Sequence, residues 1–477
     1  MNDIIRQLER QAGQVTSQII TDLIEEHAPT RERMIAAYER YKAERLPIKE
    51  RRFDDANKVN NRLNNDFVGD VVDTKVGYFA GKPISYQVDK TSYETGEGQY
   101  DEARYDRDQA ILAEFLTRNN MDDLDSETTK MAGICGLAGR LLYIDQAGQE
   151  RAMLVDPWEC IWIYDRSIAE PQYAMRYYKV KFGSRNFWRV EWYTQDTVTF
   201  YLQDEGTDGH ATNNFVIDST EAPRPHMFEG IPLIAIRNND EEQGDADKAL
   251  PLIDAYDRTF SDVNSEIESF RLAYMAFYGV MPDAETIRQA KQTGAFGLPD
   301  PNSRMEFITK SLDDNIVEHH LDRLEQNILR FTKSVNFGGD EAFAGNLSGV
   351  AMKFKLFALE SKCITFERKF SAALREQFRL LASAWRAKQV DIDYLNIYFG
   401  FKRNLPLNLL DEAQTTGTLK GLVSESTRLG LLSFIDDVAW ELEEMERDND
   451  GKFLSITEPP EETEETEEPE EPENEVS

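Results

Sequence analysis

Two long apolar stripes with heptad spacing constrain this chain of 477 residues more than any other feature of its sequence. An α-helix repeats every ~3.6 residues, so apolar side chains at alternating steps of three and four share one helical face. The first stripe predicts a helix of about 36 Å. The second has the same period, so the two helices can pack antiparallel. The first stripe consists of Ile253, Tyr256, Phe260, Val263, Ile267, Phe270, Tyr274 and Phe277, and the second of Val317, Leu321, Leu324, Ile328, Phe331 and Val335.

A small module is predicted between the two stripes, in residues 282–314. Its sequence begins with a helical piece and continues with two glycines and two prolines, which break regular structure. A strand is predicted at residues 305–308. We therefore expect a two-helix stalk that carries a compact module at its tip.

A glycine-rich loop follows the second stripe. Residues 337–349 contain four glycines, which favour a mobile loop, and they also carry Phe337 and Phe343. A third long helix is predicted over residues 349–388. Its outer face is basic, because nine Lys or Arg stand against three Glu in this segment.

The rest of the chain divides into a larger N-terminal part and a short C-terminal part. Helical periodicity covers residues 2–45, where Pro29 is expected to start a second helix. Aromatic and β-branched runs predict a β-rich domain over residues 141–238. A strand is predicted at residues 392–401 and a helical unit at residues 407–447. The resulting fold class is α+β and mostly helical.

The chain is strongly acidic, with 88 Asp and Glu against 54 Lys and Arg and a formal net charge of −34. Residues 455–477 hold eleven Glu and no Lys or Arg, which predicts a disordered tail. The longest apolar stretch, residues 272–281, is shorter than the ~20 residues of a transmembrane helix, and the charged N-terminus does not fit a signal peptide. We therefore expect a cytoplasmic protein that spans no membrane and does not grip phosphates tightly.

The sequence contains no constellation that is typical of an enzyme, a metal site or a cofactor site. Residues 77–83 have three residues between their glycines instead of the four of a phosphate-binding loop, and Pro83 where Ser or Thr is required. The three cysteines lack C-x-x-C spacing, and the adjacent His319 and His320 point to different helical faces. We therefore predict no catalytic residue, no metal and no cofactor.

One continuous segment, residues 64–86, has a distinctive pattern of Asn, Asp, Gly and aromatic residues. Its members are Asn64, Asn65, Phe67, Val72, Asp73, Lys75, Gly77, Tyr78, Gly81, Lys82, Pro83, Ile84 and Tyr86. This pattern resembles the signature of portal proteins from tailed bacteriophages, of the siphophage type that infects Gram-positive bacteria. Similar residues follow in the same order, at His226, Gly230, Ile231, Pro232, Asn238, Asn239, Gly345, Asn346, Ser348, Gly349, Ala351, Lys353, Lys355, Glu360, Phe401, Arg403, Asn404, Pro406, Gly421, Ser424, Asp436, Asp437 and Glu441.

The resemblance implies a ring at one vertex of the capsid, through which genomic DNA enters and leaves. Twelve subunits are expected, or thirteen when the protein is purified alone. The implied partners are the large terminase subunit, a head-completion adaptor, the scaffold, the major capsid protein and double-stranded DNA that passes without sequence-specific contacts. The protein would be assembled in the host cytoplasm and end in the virion.

The resemblance also divides the chain into named parts. The expected parts are a wing (residues 1–240), a first stem helix (241–281), a clip (282–314), a second stem helix (315–337), a tunnel loop (338–348), a long wing helix with a strand (349–405), a crown (406–450) and a disordered acidic tail (451–477). In this scheme the clip is a small α/β module, the wing is β-rich and the crown is helical.

Three groups of site residues are expected from this division. The tunnel loop would face DNA with Phe337, Gly338, Gly339, Asp340, Glu341, Phe343, Gly345 and Asn346. The clip would dock the terminase and the adaptor through Arg288, Lys291 and Arg304. Stem packing would rest on Ile253, Tyr256, Phe260, Val263, Ile267, Phe270, Val317, Leu321, Leu324, Ile328 and Phe331.

The sequence also leaves other interpretations open. A carboxylate-dependent phage nuclease or head-maturation hydrolase could use the cluster Asp122, Asp123 and Asp125. A monomeric or dimeric structural adaptor could be built on the same helical stalks. For the basic third helix, ion pairs with neighbouring subunits are favoured over contacts with DNA.

Overall fold

The chain forms two compact units, Met1–Asn404 and Leu405–Ser477. The computed structural model describes residues 5–6, 8, 14–54, 58–96, 99–165, 170–182, 185–205, 211–270, 274–279, 283–293, 304–308, 314–336, 349–404, 409–432, 435, 438, 441–442 and 444–448. The predicted tunnel loop and acidic tail lie outside these residues. In the described part of the chain, no helix has the length and apolar composition needed to cross a membrane.

The first third of the chain is mainly helical. Its elements are α1 (Ser17–Tyr41), α2 (Pro47–Glu50), α3 (Phe67–Phe79), β1 (Ser85–Val88), β2 (Glu94–Gly96), β3 (Gln99–Tyr100), α4 (Glu102–Arg118) and α5 (Met121–Cys135). The prediction that Pro29 starts a new helix is wrong, because α1 continues through it. Buried side chains lie on both sides of the proline, at Ile20, Leu23 and Met34, so packing keeps α1 continuous through a residue that lacks one helical N–H.

The predicted β-rich region is confirmed and consists of antiparallel strands. These are β4 (Leu137–Ile144), β5 (Glu150–Val155), β6 (Cys160–Tyr164), β7 (Pro171–Phe182), β8 (Arg185–Tyr193), β9 (Thr197–Glu205), β10 (Ala211–Ile217), β11 (Arg224–Pro225) and β12 (Leu233–Arg237). One sheet has the order β10-β9-β8-β7-β6, with β11 beside β9, and the other has the order β12-β4-β5. Helix α1 packs Ile19, Ile20 and Leu23 against Val190 and Trp192 of the larger sheet.

The stalk and its tip comprise α6 (Leu250–Phe270), β13 (Tyr274–Tyr278), α7 (Ala284–Thr293), β14 (Arg304–Ile308) and α8 (Asp314–Thr332). The predicted helical piece and the strand at residues 305–308 are confirmed. The prediction that the first heptad helix extends to Phe277 is wrong, because Tyr274 and Phe277 lie on β13, which pairs with β14. Aromatic residues suit a strand, and pairing with β14 satisfies the backbone there.

The second stripe is also shorter than expected. Helix α8 ends at Thr332, and Lys333 has a positive φ of 58°, so Val335 lies beyond the helix. A residue in the left-handed region is a common helix terminator. The two helices nevertheless pack side by side, as the matching stripes predict.

The third long helix is confirmed as α9 (Gly349–Ala387), and it is followed by β15 (Ile397–Gly400). The strand predicted over residues 392–401 is shorter because a 3₁₀ turn over Tyr394–Asn396, capped by the Asp393 side chain, precedes it. Strand β15 pairs antiparallel with β1. The second compact unit contains α10 (Leu409–Thr418) and α11 (Glu425–Leu429), so its described part is helical.

Candidate functional site

The stem pair, which consists of α6 and α8, buries its apolar stripes only near one end. Ile253 of α6 and Ile328 of α8 are buried at the base and belong to one apolar cluster. Toward the tip the stripe is open, because Ile267 is 57% exposed and Ile316, beside the stripe on α8, is 66% exposed. In a single chain, apolar side chains in the tip half of the stem pair therefore stay exposed to solvent.

Most of the other predicted stem residues are intermediate between these extremes. Leu324 is buried, and Phe260 is 38% exposed. Phe331 is an exception to the gradient, because it lies near the base and is 53% exposed. Phe270 is the last residue of α6. The half-buried members are Tyr256, Val263, Val317 and Leu321.

A second face of α6 is covered by an extended segment of the same chain, residues 59–65, which we call the strap. The backbone N–H groups of strap residues donate to side chains of α6 that are spaced four residues apart. The three contacts are Asn61 N to Ser265 Oγ (2.9 Å), Leu63 N to Ser261 Oγ (3.0 Å) and Asn65 N to Asp257 Oδ1 (3.0 Å). The sequence did not predict this row of strap–helix contacts, which we call the seam. The polar residues Asp257, Ser261 and Ser265, at steps of four, indicate a polar helical face that could have revealed it.

The spacing of the strap contacts has a simple geometric reason. Two residues of extended chain advance about 6.6 Å, and four residues of helix advance about 6.0 Å. Every second strap N–H therefore meets an acceptor on every fourth helical residue. The strap leads directly into α3 and therefore links α3 to the first stem helix. Its three contacts lie on the face of α6 beside the apolar stripe.

At the base of the stem pair lies a buried polar junction, formed by Lys75, Asn238, Asp245 and Lys362. The Asp245 side chain is fully buried and lies 3.1 Å from Lys75 Nζ and 2.9 Å from Lys362 Nζ. Lys75 Nζ also donates to Asn238 Oδ1 at 2.5 Å, and Asn238 Nδ2 donates to Asp245 Oδ1 at 3.1 Å. The junction joins α3, the end of β12, the entry to α6 and helix α9.

The electrostatics of the junction favour an ionised carboxylate. Burial alone would raise the pKa of Asp245, but Lys75 and Lys362 outweigh this effect and the pKa is lowered. Burial lowers the pKa of Lys75, and Asp245 opposes that shift. The Lys75 ammonium also lies 4.2 Å from the centre of the Phe366 ring, which adds a cation–π contact.

Close backbone approach makes room for this carboxylate. A Cβ atom on Gly133 would lie 2.7 Å from Asp245 Oδ2, so any larger side chain would displace the acid. Gly136 has a φ of 81°, and its Cβ would lie 2.1 Å from the Glu242 carbonyl oxygen. Both glycines are at the end of α5, which therefore forms the floor beneath the loop that carries Asp245.

A second polar contact ties α3 to the long helix α9. Tyr78 Oη donates to Glu360 Oε2 at 2.7 Å, and Arg403 Nε donates to the same oxygen at 2.9 Å. Arg403 also binds Glu367 at 2.6 Å. Burial would raise the pKa of Glu360, but the hydrogen bonds from Arg403 and Tyr78 outweigh it and the pKa is lowered. Tyr78, Glu360 and Arg403 all carry the family resemblance, and although they are far apart in sequence, they are in contact here.

The carboxylate cluster of the nuclease or hydrolase alternative does not form a site. Asp125 is buried and binds Arg140 Nη2 at 2.7 Å and Tyr86 Oη at 2.5 Å, whereas Asp122 and Asp123 are exposed in the first turn of α5. In the part of the chain that the structure describes, no group of three or more His, Cys, Asp or Glu side chains could hold a metal ion. Asp125 is therefore a structural anchor of β1 and β4.

The predicted clip residues lie on α7 and β14. Arg288 is exposed on α7 and pairs with Glu285 at 2.9 Å, Lys291 lies on α7, and Arg304 is exposed at the start of β14 opposite Tyr278. The predicted tunnel-loop residues from Phe337 to Asn346 lie outside the described residues. Of the basic residues on α9, several pair with acids of the same chain, for example Lys362 with Asp245.

Comparison with known proteins finds a family match and similar relatives. A family model described as "Phage portal protein, SPP1 Gp6-like" matches residues 20–452. The portal protein of Bacillus phage SPP1 is 24% identical over 482 aligned residues, which cover 94% of this chain and 89% of that protein. The portal protein of Clostridium phage phiCD119 is 23% identical over 405 residues, which cover 80% of this chain and 83% of that protein.

Proposed function

The chain belongs to the SPP1 Gp6-like family of phage portal proteins. From this premise we propose which function each part of the chain has. A portal protein is a virion component that provides the channel for genome packaging and ejection and connects head to tail. The family is structural and not enzymatic. Its members act as oligomeric rings that contact the capsid and the terminase. The residues of this chain can therefore be assigned to assembly, DNA passage or docking.

The stem pair carries the proposal for assembly. The apolar stripe is buried at the base by Ile253 and Ile328, but Ile267 and Ile316 are exposed toward the tip. Fully burying an exposed side chain of this size contributes about 1.5–3 kcal/mol, so these partly exposed side chains contribute a share of that, which a ring repeats at every interface. We infer a ring of twelve subunits, or thirteen when purified alone, in which the tip half of each stem pair contacts its neighbour.

The other parts take roles in DNA passage and docking. Residues 338–348 form the tunnel loop that touches passing DNA. The acidic composition keeps the channel from gripping phosphates. The clip docks the large terminase subunit first and a head-completion adaptor later, through Arg288, Lys291 and Arg304. Scaffold and major capsid protein are the further partners that we expect during assembly in the host cytoplasm.

Ring assembly is tested by mass photometry of the purified protein with negative-stain imaging. The expected species has twelve or thirteen times the 54.9 kDa of one chain and annular views. Ile267→Glu should shift the population toward small species, and Arg258→Glu, an exposed position on the same helix, should not. If Ile267→Glu forms rings as well as the unchanged protein does, the stem pair is not the interface.

The tunnel-loop role is tested by shortening residues 337–345. The variant should assemble into rings of the same mass but package or retain less DNA. Normal packaging by this variant would contradict the role. The docking role of the clip is tested by substituting Arg288, Lys291 and Arg304 together and measuring binding of the large terminase subunit to the ring, which should weaken.

A further inference from the structure

One lysine of the buried junction connects the end of the second stem helix with the long helix α9. Lys362 Nζ lies 2.9 Å from the backbone oxygen of Thr332, the last residue of α8, and 2.9 Å from Asp245 Oδ1. The last four carbonyls of a helix have no partner within the helix. Lys362 therefore caps α8 from another element and joins the two sides of the connection between residues 333 and 348.

The two lysines of the junction are not equivalent. The Lys75 side chain is 1% exposed, whereas the Lys362 side chain is 17% exposed. If Lys362 withdraws, Asp245 keeps the Lys75 ammonium at 3.1 Å and the Asn238 amide at 3.1 Å. Departure of Lys362 thus leaves no buried charge of the junction unpaired, whereas removal of Asp245 would leave the Lys75 ammonium without a carboxylate.

A cavity beside Lys362 has space in which the released groups could be hydrated. It has a volume of about 190 Å³ and is lined by Thr332, Lys362 and Asp245 among others. One water molecule occupies about 30 Å³ in the liquid, so several waters fit. Both the Lys362 ammonium and the Thr332 carbonyl can exchange their mutual contact for hydration, which makes the contact reversible.

We propose that Lys362 is a positioning residue that acts as a detachable latch between the stem pair and α9. In the latched state it fixes the C-terminal end of α8 to α9 and to Asp245. In the released state α8 and α9 lose this link while the junction core of Lys75, Asn238 and Asp245 stays intact. The role in DNA passage rests on the proposed portal function, since the connection between α8 and α9 contains the proposed tunnel loop.

Hydrogen exchange of the full-length purified protein tests the latch itself. In Lys362→Met, the amides of the last turn of α8 should exchange at least tenfold faster than in the unchanged protein. Lys362→Arg keeps a charged donor and should exchange near the original rate. The matched control is Arg368→Met, which removes one positive charge from an exposed position of α9 and should change nothing at α8. Unchanged exchange in Lys362→Met, or equal acceleration in the control, would overturn the latch.

A second measurement keeps the proposal testable should Lys362→Met fail to fold. Salt screens a partly exposed ion pair more than a fully buried one. Raising salt from 0.1 to 1 M in the unchanged protein should therefore accelerate exchange at the end of α8 and leave the amide of Asp245, which donates to Gly133 O at 2.7 Å, unaffected. Uniform acceleration, or none, would contradict a latch at Lys362.

The role in DNA passage has a separate readout. Rings of Lys362→Met should keep their mass but package DNA severalfold less efficiently, and Lys362→Arg should restore packaging. Normal packaging by Lys362→Met with accelerated exchange would limit the latch to a structural role and overturn its part in DNA passage. If the unchanged protein forms no ring, the portal assignment of the parts fails, but the exchange comparison still decides whether the latch exists.

Discussion

Replacing Asp245 by Asn tests the buried junction at its centre. The substitution keeps the shape of the side chain but removes the carboxylate that lies between Lys75 and Lys362. Lys362 can turn to the adjacent cavity, but Lys75 is 1% exposed and would keep only neutral amide oxygens, such as that of Asn238, as polar partners. The folded protein must then hold a buried unpaired ammonium or release its proton.

Both outcomes have an assignable cost. Breaking a buried ion pair by removing one partner costs about 3–5 kcal/mol. Removing the proton from a lysine of ordinary pKa at pH 7 costs about 4.6 kcal/mol. The two routes agree, so we expect Asp245→Asn to lower the free energy of unfolding by about 3–5 kcal/mol.

The assay is urea unfolding followed by tryptophan fluorescence at one fixed protein concentration, because assembly makes stability concentration-dependent. Asp240→Asn is the matched control, since Asp240 also pairs with a lysine, Lys369, but is 79% exposed. Exposed pairs contribute about 0–1 kcal/mol. A double variant, Asp245→Asn with Lys75→Met, should recover part of the loss and keeps the test valid if the single variant does not fold. Equal stability of Asp245→Asn and Asp240→Asn would refute the reasoning.

Two further predictions concern the strap and a half-buried histidine. Ser261→Ala removes the acceptor of Leu63 N, so it should destabilise the strap by about 1–3 kcal/mol and speed tryptic cleavage within residues 58–63. The control Ser269→Ala, at an exposed helical position, should not change cleavage. Equal cleavage of the two variants would contradict the strap contacts. Burial first and Arg31 second lower the pKa of His27 to about 4, so the unfolded chain binds its proton more readily and stability should fall as pH drops from about 6.5 toward 4. His27→Gln should flatten urea-unfolding stability over this range, and an unchanged pH profile would show that His27 does not titrate in this way.

The helices of the stem pair could be predicted because an apolar stripe repeats locally. The same spacing failed at Tyr274 and Phe277, where aromatic residues at steps of three and four also fit a strand. What decides between the two structures is pairing with β14, whose partner residues lie about thirty positions later in the chain. A local pattern does not contain that information, so the helix was predicted too long.

The junction and the strap could not be predicted in the same way. Lys75, Asp245 and Lys362 are separated by more than one hundred residues each, and a buried ion pair has no periodic signal in sequence. Asp245 lies in an acidic loop whose composition is typical of solvent-exposed segments. Asp245 points into the protein because Gly133 and Gly136, which lack side chains, leave space for this loop beside the end of α5.

The residues of segment 64–86 that carry the family resemblance acquire a physical meaning once their partners are known. Each of four polar side chains in this segment binds an acid on a different element, which places α3 and its flanks at the centre of the first compact unit. The pairs are Asn65 with Asp257, Lys75 with Asp245, Tyr78 with Glu360 and Tyr86 with Asp125. An unmatched partner would leave a buried polar group unsatisfied. The segment therefore specifies how the first stem helix, the long helix α9 and helix α5 are oriented, and it is not a ligand site. This explains why a pattern that looks like a phosphate-binding loop belongs to a structural protein.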